Sequence, residues 1–279
     1  DPPTHHRRRV EQVVAPSSAV NEIVSDLRAE QDALDEIVSA IETAAWSTPT
    51  PAEGWDVQDQ VGHLCFFDER ATEAVLDPDA FTAQVMRVAA DAGSYMASHL
   101  ASTRALSPGD LLSRWRSARG ELLTALGALD ASTRLPWYGP SMSARSFATA
   151  RLMETWAHTQ DVTDALGCSR EPTDRLRHIA FLGVKTMAWS FTVNGLDLPA
   201  ETVRVDLTGP SGDRWVWNKE VESNIVSGDV EDFCLVVTQR RNVADTSLDV
   251  TGDVAREWMT FAQAFAGPPG GGRPAGLFS

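Results

Sequence analysis

The hydrophobic pattern of this chain first leaves the helical period after Pro199, and that change limits the folds open to it. Through roughly the first 170 residues the apolar positions recur at helical spacing, and after Pro199 they alternate. Val20, Ile23, Val24, Leu27, Leu34, Ile37, Val38 and Ile41 share one face while Asp, Glu and Arg fill the other, which predicts a long amphipathic helix. Pro49 and Pro51 end it. A second helix opens near Trp55-Asp56 with Val57, Val61, Leu64 and Cys65 or Phe66 as its stripe, and further helices are expected over 78–103, 109–129 and 144–166. No alternating segment interrupts them, so the first 170 residues read as an all-α bundle of four or five helices. One more helix, from about Pro172 to Val193, bridges to the alternating last third.

Residues 203–207 alternate, and Pro210-Ser211-Gly212-Asp213 reads as a hairpin turn before Trp215-Val216-Trp217. Residues 222–226 and 246–250 add strands, Gly228-Asp229 caps a helix carrying Val230, Phe233, Cys234 and Val237, and residues 254–265 form a closing helix. The expected fold class is α plus α+β: an up-down four-helix bundle followed by a small α+β domain. The boundaries read as a loose tail over 1–17, a bundle over 18–171, the bridging helix and α+β unit over 172–267, and a Gly/Pro-rich flexible tail over 268–279.

Acidic residues outnumber basic ones by 39 to 24, a net charge of −15, which sets the average surface against nucleic-acid phosphates and anionic lipid. Neither partner is expected. Cys65, Cys168 and Cys234 form no CxxC pair and no disulfide framework, so they read as reduced, mostly buried thiols. No apolar run approaches the ~18 residues needed to cross a bilayer, and a cytoplasmic protein, monomeric or homodimeric, is expected.

Chemistry concentrates in Arg151-Leu-Met-Glu154-Thr-Trp-Ala-His158-Thr-Gln-Asp161. On a helix, Glu154, His158 and Asp161 fall at i, i+4 and i+7, so two carboxylates and an imidazole project from one face. Glu and His one turn apart can grip a single divalent ion but cannot close a site. His63, in Val61-Gly62-His63-Leu64-Cys65, is the other bundle histidine flanked by an apolar helical pattern. Two His and one Glu leave an open coordination position, the arrangement of a catalytic zinc site; nickel, cobalt or iron suit the same donors. A water or thiol there loses its proton near neutral pH. Asp161 can orient His158 or act on a substrate proton. The bland alternative is a partly solvated Glu–His pair and a hydrogen-bonded core histidine. Against it, both elements interrupt apolar faces, where an unpaired polar group is costly.

Gly54-Trp55-Asp56-Val57, Gly62-His63-Leu64 and Glu154-Thr-Trp-Ala-His158-Thr-Gln-Asp161-Val162 together resemble the DinB-like metalloprotein superfamily, and within it the mycothiol-dependent maleylpyruvate isomerase type. The last third is similar to the sterol-carrier-like α+β domain of that subgroup. The resemblance implies zinc held by His63, Glu154 and His158, and mycothiol as co-substrate. Its thiolate would add to a small electrophilic substrate, in isomerisation or S-transfer. Asp161 matches the acidic residue after the second histidine of that motif.

Arg240 and Arg241 stand at the junction of the last third; one can turn to the interdomain cleft and hold a carboxylate, although adjacent arginines are usually solvated. Arg145 and Arg151 are lesser candidates of the same kind. Trp55, Trp137, Tyr138, Trp156 and Trp189 read as core packing before pocket lining. Cys168 and Cys234 read as structural, and His99 and His178 as surface or packing residues. Two rivals to the thiol-dependent enzyme stand beside it: a thiol-independent metal-dependent hydrolase, lyase or isomerase, and a non-catalytic protein carrying an apolar ligand.

Overall fold

The computed structural model describes residues 18–278; the expected N-terminal tail, with His5 and His6, lies outside the described residues. Helix α1 (Ser18–Ala40) and a 3-10 turn (Thr43–Ser47) lead to α2 (Val57–Leu76). Next come α3 (Pro78–Val88), α4 (Ala92–Arg104) and α5 (Pro108–Gly127). The hairpin of β1 (Arg134–Leu135) and β2 (Met142–Ser143) precedes α6 (Ala144–Leu166). Helices α1, α2, α5 and α6 form the bundle, with α2 laid against α5 and α1 against α6.

Three local results differ from the pattern expected of the sequence. The single helix expected over 78–103 is two helices joined by a 3-10 turn at Ala89–Asp91, because the Asp91 carboxylate accepts from the Ser94 amide and starts α4 afresh. The β1/β2 hairpin, two residues per strand, is too short to show a period of two. Likewise the bridging helix breaks at Thr186 into α7 (Leu176–Lys185) and α8 (Met187–Val193).

The last third holds β3 (Arg204–Thr208), β4 (Arg214–Trp217), β5 (Ile225–Asp229), α9 (Val230–Val237), β6 (Asp249–Thr251) and α10 (Asp253–Phe261). The strand order is β4-β3-β5-β6, with β3 and β5 parallel and both outer pairings antiparallel. Val205, Leu207, Trp215 and Val226 supply the sheet's buried apolar side chains. Asp229 caps α9, whose Val230, Phe233, Cys234 and Val237 are wholly buried. A continuous apolar cluster joins these residues to Leu152, Met153 and Trp156 of α6, so the helix carrying the Glu-His pair is packed on both sides.

One glycine sets the spacing beside the site. A Cβ on Gly62 would lie 2.7 Å from Thr103 Oγ1, so only glycine lets α4 approach α2 one residue before His63. Gly62→Ala is expected to cost about 1–3 kcal/mol through the forced shift of α4, read as a lowered midpoint in chemical denaturation; an unchanged midpoint would show that α4 yields freely.

Candidate metal centre

Three segments build the site. Residues 48–56 fold back on themselves: the Thr50 amide donates to the Trp55 carbonyl at 2.8 Å, Pro49 bridges to Asp56, and Gly54 takes the positive φ of 76° that the turn requires. Asp56 then caps α2 in a reciprocal box with Asp59, which Arg104 grips through two 2.8 Å bonds. His63 sits two turns into that helix. On the facing helix, Ser143 caps the start of α6 and Gly167, with φ 63°, ends it.

Glu154 and His158 project from α6 toward His63. The donor atoms of the three residues all lie within 4.8 Å of one another. His158 Nε2 is 3.3 Å from Glu154 Oε2, and the two imidazole centroids are 4.5 Å apart. The Trp55 ring lies 5.1 Å from the His63 ring and 6.1 Å from that of His158, nearly parallel to the latter. Burial, with the charges of His158, Arg151, His99 and Arg240, drives His63 well below the usual histidine pKa, so it is a neutral lone-pair donor. Its Nδ1 is buried and has no hydrogen-bond partner. Burial opposes charge on Glu154, but the His158 hydrogen bond, with Arg151 and Arg240 behind it, more than offsets this and holds the carboxyl below its usual value. Two neutralisable imidazoles, one ionised carboxylate and an orphaned nitrogen are what a divalent ion requires of a site.

Beneath the cluster lies a buried charge pair that sequence reasoning did not find. Asp68, fully buried, accepts from Arg151 Nη2 at 2.9 Å and Nε at 3.2 Å, from Trp115 Nε1 at 3.2 Å and from Gln31 Nε2 at 3.3 Å. Of the lesser candidates, Arg151 is thus committed to this pair, and Arg145 is exposed.

The acidic residue one turn beyond His158 does not touch its ring in this structure. Asp161, 1% exposed, is held between Arg240 at 3.0 Å and Arg273 at 2.8 Å. The group that holds His158 is Gln60, whose Oε1 lies 2.6 Å from Nδ1. Arg240 also donates to the Ala157 and Thr238 carbonyls, and Arg241 forms two 2.7 Å bonds to Asp164 beneath the Phe278 ring. Arg273 and Phe278 belong to the segment expected as a free tail; it lies against the body, with further bonds from Asn242 to the Arg273 carbonyl and from the Gly276 amide to Asp245.

Trp55 alone of the five candidate aromatics meets the histidines. Trp137 and Tyr138 pack with Phe81 and Phe67, Trp156 is buried beneath Arg170, and Trp189 is 39% exposed. His99 is buried, stacked on Phe66 at 4.0 Å, and His178 pairs with Asp26. Cys65 and Cys234 are buried, burial pushing the Cys65 thiol up to about 12; Cys168, read as structural, is instead exposed just past the αL end of α6.

Fold and donor set define a class: a helical-bundle protein with a two-histidine, one-carboxylate cluster between facing helices, extended by an α+β segment. Residues 27–163 match the family model of the mycothiol maleylpyruvate isomerase N-terminal domain, and the chain belongs to that family. It is 48% identical over 250 residues to uncharacterized protein Rv0036c of Mycobacterium tuberculosis strain H37Rv, covering 90% of this chain and 97% of that protein. The same figures hold for uncharacterized protein MT0041 of strain CDC 1551. Among solved structures, that of a mycothiol-dependent maleylpyruvate isomerase superposes with a TM-score of 0.54 at 16% identity, over 79% of this chain and 89% of that one. A histidine-to-alanine mutant of a mycothiol-dependent maleylpyruvate isomerase gives 0.53 at 17% identity, with the same coverage. At these identities the likeness is one of fold. Among the described residues, no helix is long and apolar enough to cross a membrane.

Proposed function

We propose that this protein is a zinc-dependent enzyme that uses a low-molecular-weight thiol, mycothiol, as nucleophile toward a small electrophilic substrate, by isomerisation or S-transfer. The observation that carries the reading is the convergence of His63, Glu154 and His158, from two facing helices, on a space where their donor atoms lie within 4.8 Å. Family membership supports the thiol. A zinc ion held there would stabilise a thiol as its thiolate at the open position, and nickel, cobalt or iron suit the donors as well.

The protein's own groups do the rest. Glu154 and the two imidazoles hold the ion. Trp55 packs against both rings, stacked on the face of His158 and tilted against His63, and shields that side from water. Asp161 and Arg240 act by placing charge: the carboxylate fixes the guanidinium, whose field reaches Glu154 and His63 and favours an anionic thiol or substrate. Arg241 ties the last third to α6 through Asp164. We assign that last third to the sterol-carrier-like type, on its mixed sheet packed against α9.

Elemental mass spectrometry on untagged protein tests the metal. About one zinc per chain is expected, lost in Glu154→Ala. Turnover of model electrophiles is expected only with added thiol. A metal-free protein that takes up no zinc would overturn the reading, and turnover without thiol would replace it with a metal-dependent hydrolase, lyase or isomerase.

A further inference from the structure

The direction of each hydrogen bond behind His158 can be settled by elimination. The Trp55 carbonyl can only accept, and it takes the Thr50 amide at 2.8 Å and the Thr50 hydroxyl at 2.9 Å. Having donated its proton, Thr50 Oγ1 offers lone pairs to Gln60 Nε2, 2.9 Å away. Gln60 is fully buried, and its amide nitrogen is spent on Thr50, so its oxygen is the atom facing His158 Nδ1 at 2.6 Å. Turning the amide round would call the Thr50 proton to Gln60 and leave Thr50 Oγ1 and the Trp55 oxygen 2.9 Å apart with no proton between them. An oxygen acceptor requires the proton on Nδ1. In the neutral ring the lone pair is therefore on Nε2, 3.3 Å from Glu154 Oε2; that nitrogen donates to Glu154 only while the ring carries its second proton, and is free for an ion once that proton leaves.

We infer that Gln60 is a positioning residue: through Thr50 and the Trp55 carbonyl it locks His158 as the Nδ1–H tautomer and turns Nε2 into the Glu154–His63 cluster. The inference builds on the proposed metal site, but the tautomer can be read without metal. The same loop thus acts twice, its Trp55 ring packed on both histidines and its Trp55 carbonyl anchoring the relay. Gln60 carries no periodic signature: it lies one turn before His63, between Asp59 and Val61.

The test pairs two readouts on folded protein. In long-range proton–nitrogen NMR of the metal-free protein, at a pH where the ring is neutral, His158 Nδ1 is expected to carry the proton. In Thr50→Val and Gln60→Leu the ring is expected to become a mixture or to move its proton to Nε2. By chelator competition, Gln60→Leu is expected to weaken zinc binding about 10–100-fold, and Gln60→Glu, which keeps an acceptor, to restore it to within about threefold of the parent. Circular dichroism confirms the fold of each variant, and Thr50→Val, at a half-buried position remote from the ligands, guards against a Gln60 variant that fails to fold. An unprotonated Nδ1 in the parent, or zinc binding unchanged in Gln60→Leu, would overturn the inference. A protonated Nδ1 in a parent that takes up no zinc would uphold the tautomer lock and refute the metal reading instead.

Discussion

An Arg151→Met variant is expected to lose about 3–5 kcal/mol of stability near neutral pH, because it leaves the fully buried Asp68 without its compensating cation. The pH dependence separates charge from packing. Burial already raises the Asp68 carboxyl above its usual range, with Arg151 acting against that rise. For such an acid the native chain holds its proton more tightly than the unfolded chain. Its contribution to stability therefore falls as pH rises from the unfolded value, about 3.9, through the folded one. Removing Arg151 lifts the folded value further, so the gap between parent and variant should be widest near neutrality and narrow as the solution is acidified. Urea denaturation at neutral and mildly acidic pH measures it. Adding Asp68→Asn, whose amide oxygen can still accept from Trp115 and Gln31, should recover most of the loss; an equal deficit at both pH values would assign the effect to packing.

Asp161→Ala should be comparably severe, at about 3–5 kcal/mol, since it strips the shared partner from two guanidiniums that are each mostly buried. It has a second, local signature. Without Asp161, Arg273 no longer ties the C-terminal segment to α6, so limited proteolysis should cleave near residues 267–276 well before the body of the protein unfolds. Asp161→Asn should fall between, keeping one acceptor without the charge. Intact protection of that segment in Asp161→Ala would mean that Asn242 and Phe278 suffice to hold it.

Much of the architecture is legible in the sequence where the signal is local. The helix expected over roughly 144–166 is found as α6, whose ends Ser143 and Gly167 set by their own chemistry. Glu154 and His158 are readable for the same reason, as an i,i+4 spacing needs only one helix. His63 follows from its place on an apolar face. What escapes is set by distant partners. Gln60 lies 98 residues from His158, Asp68 lies 83 from Arg151, and Arg273 lies 112 from Asp161. No periodicity encodes such pairs. Composition also misleads over the last dozen residues, since Gly and Pro predict a free tail, whereas the contacts that hold this one come from its single Arg and single Phe, Arg273 and Phe278, and from its backbone.

The clasp on Asp161 also sets an order of events during biosynthesis. Ribosomes add about 5–20 residues per second, so the 112 residues separating Asp161 from Arg273 correspond to roughly 6–22 s of elongation. For that interval the nascent bundle holds α6 with an aspartate that still lacks its final counter-ion. The Glu154–His158 face can assemble with His63 while the chain is still growing. The clasp on Asp161 is complete only when Arg273 has emerged, so a segment translated more than a hundred residues after α6 takes part in finishing the surroundings of the site.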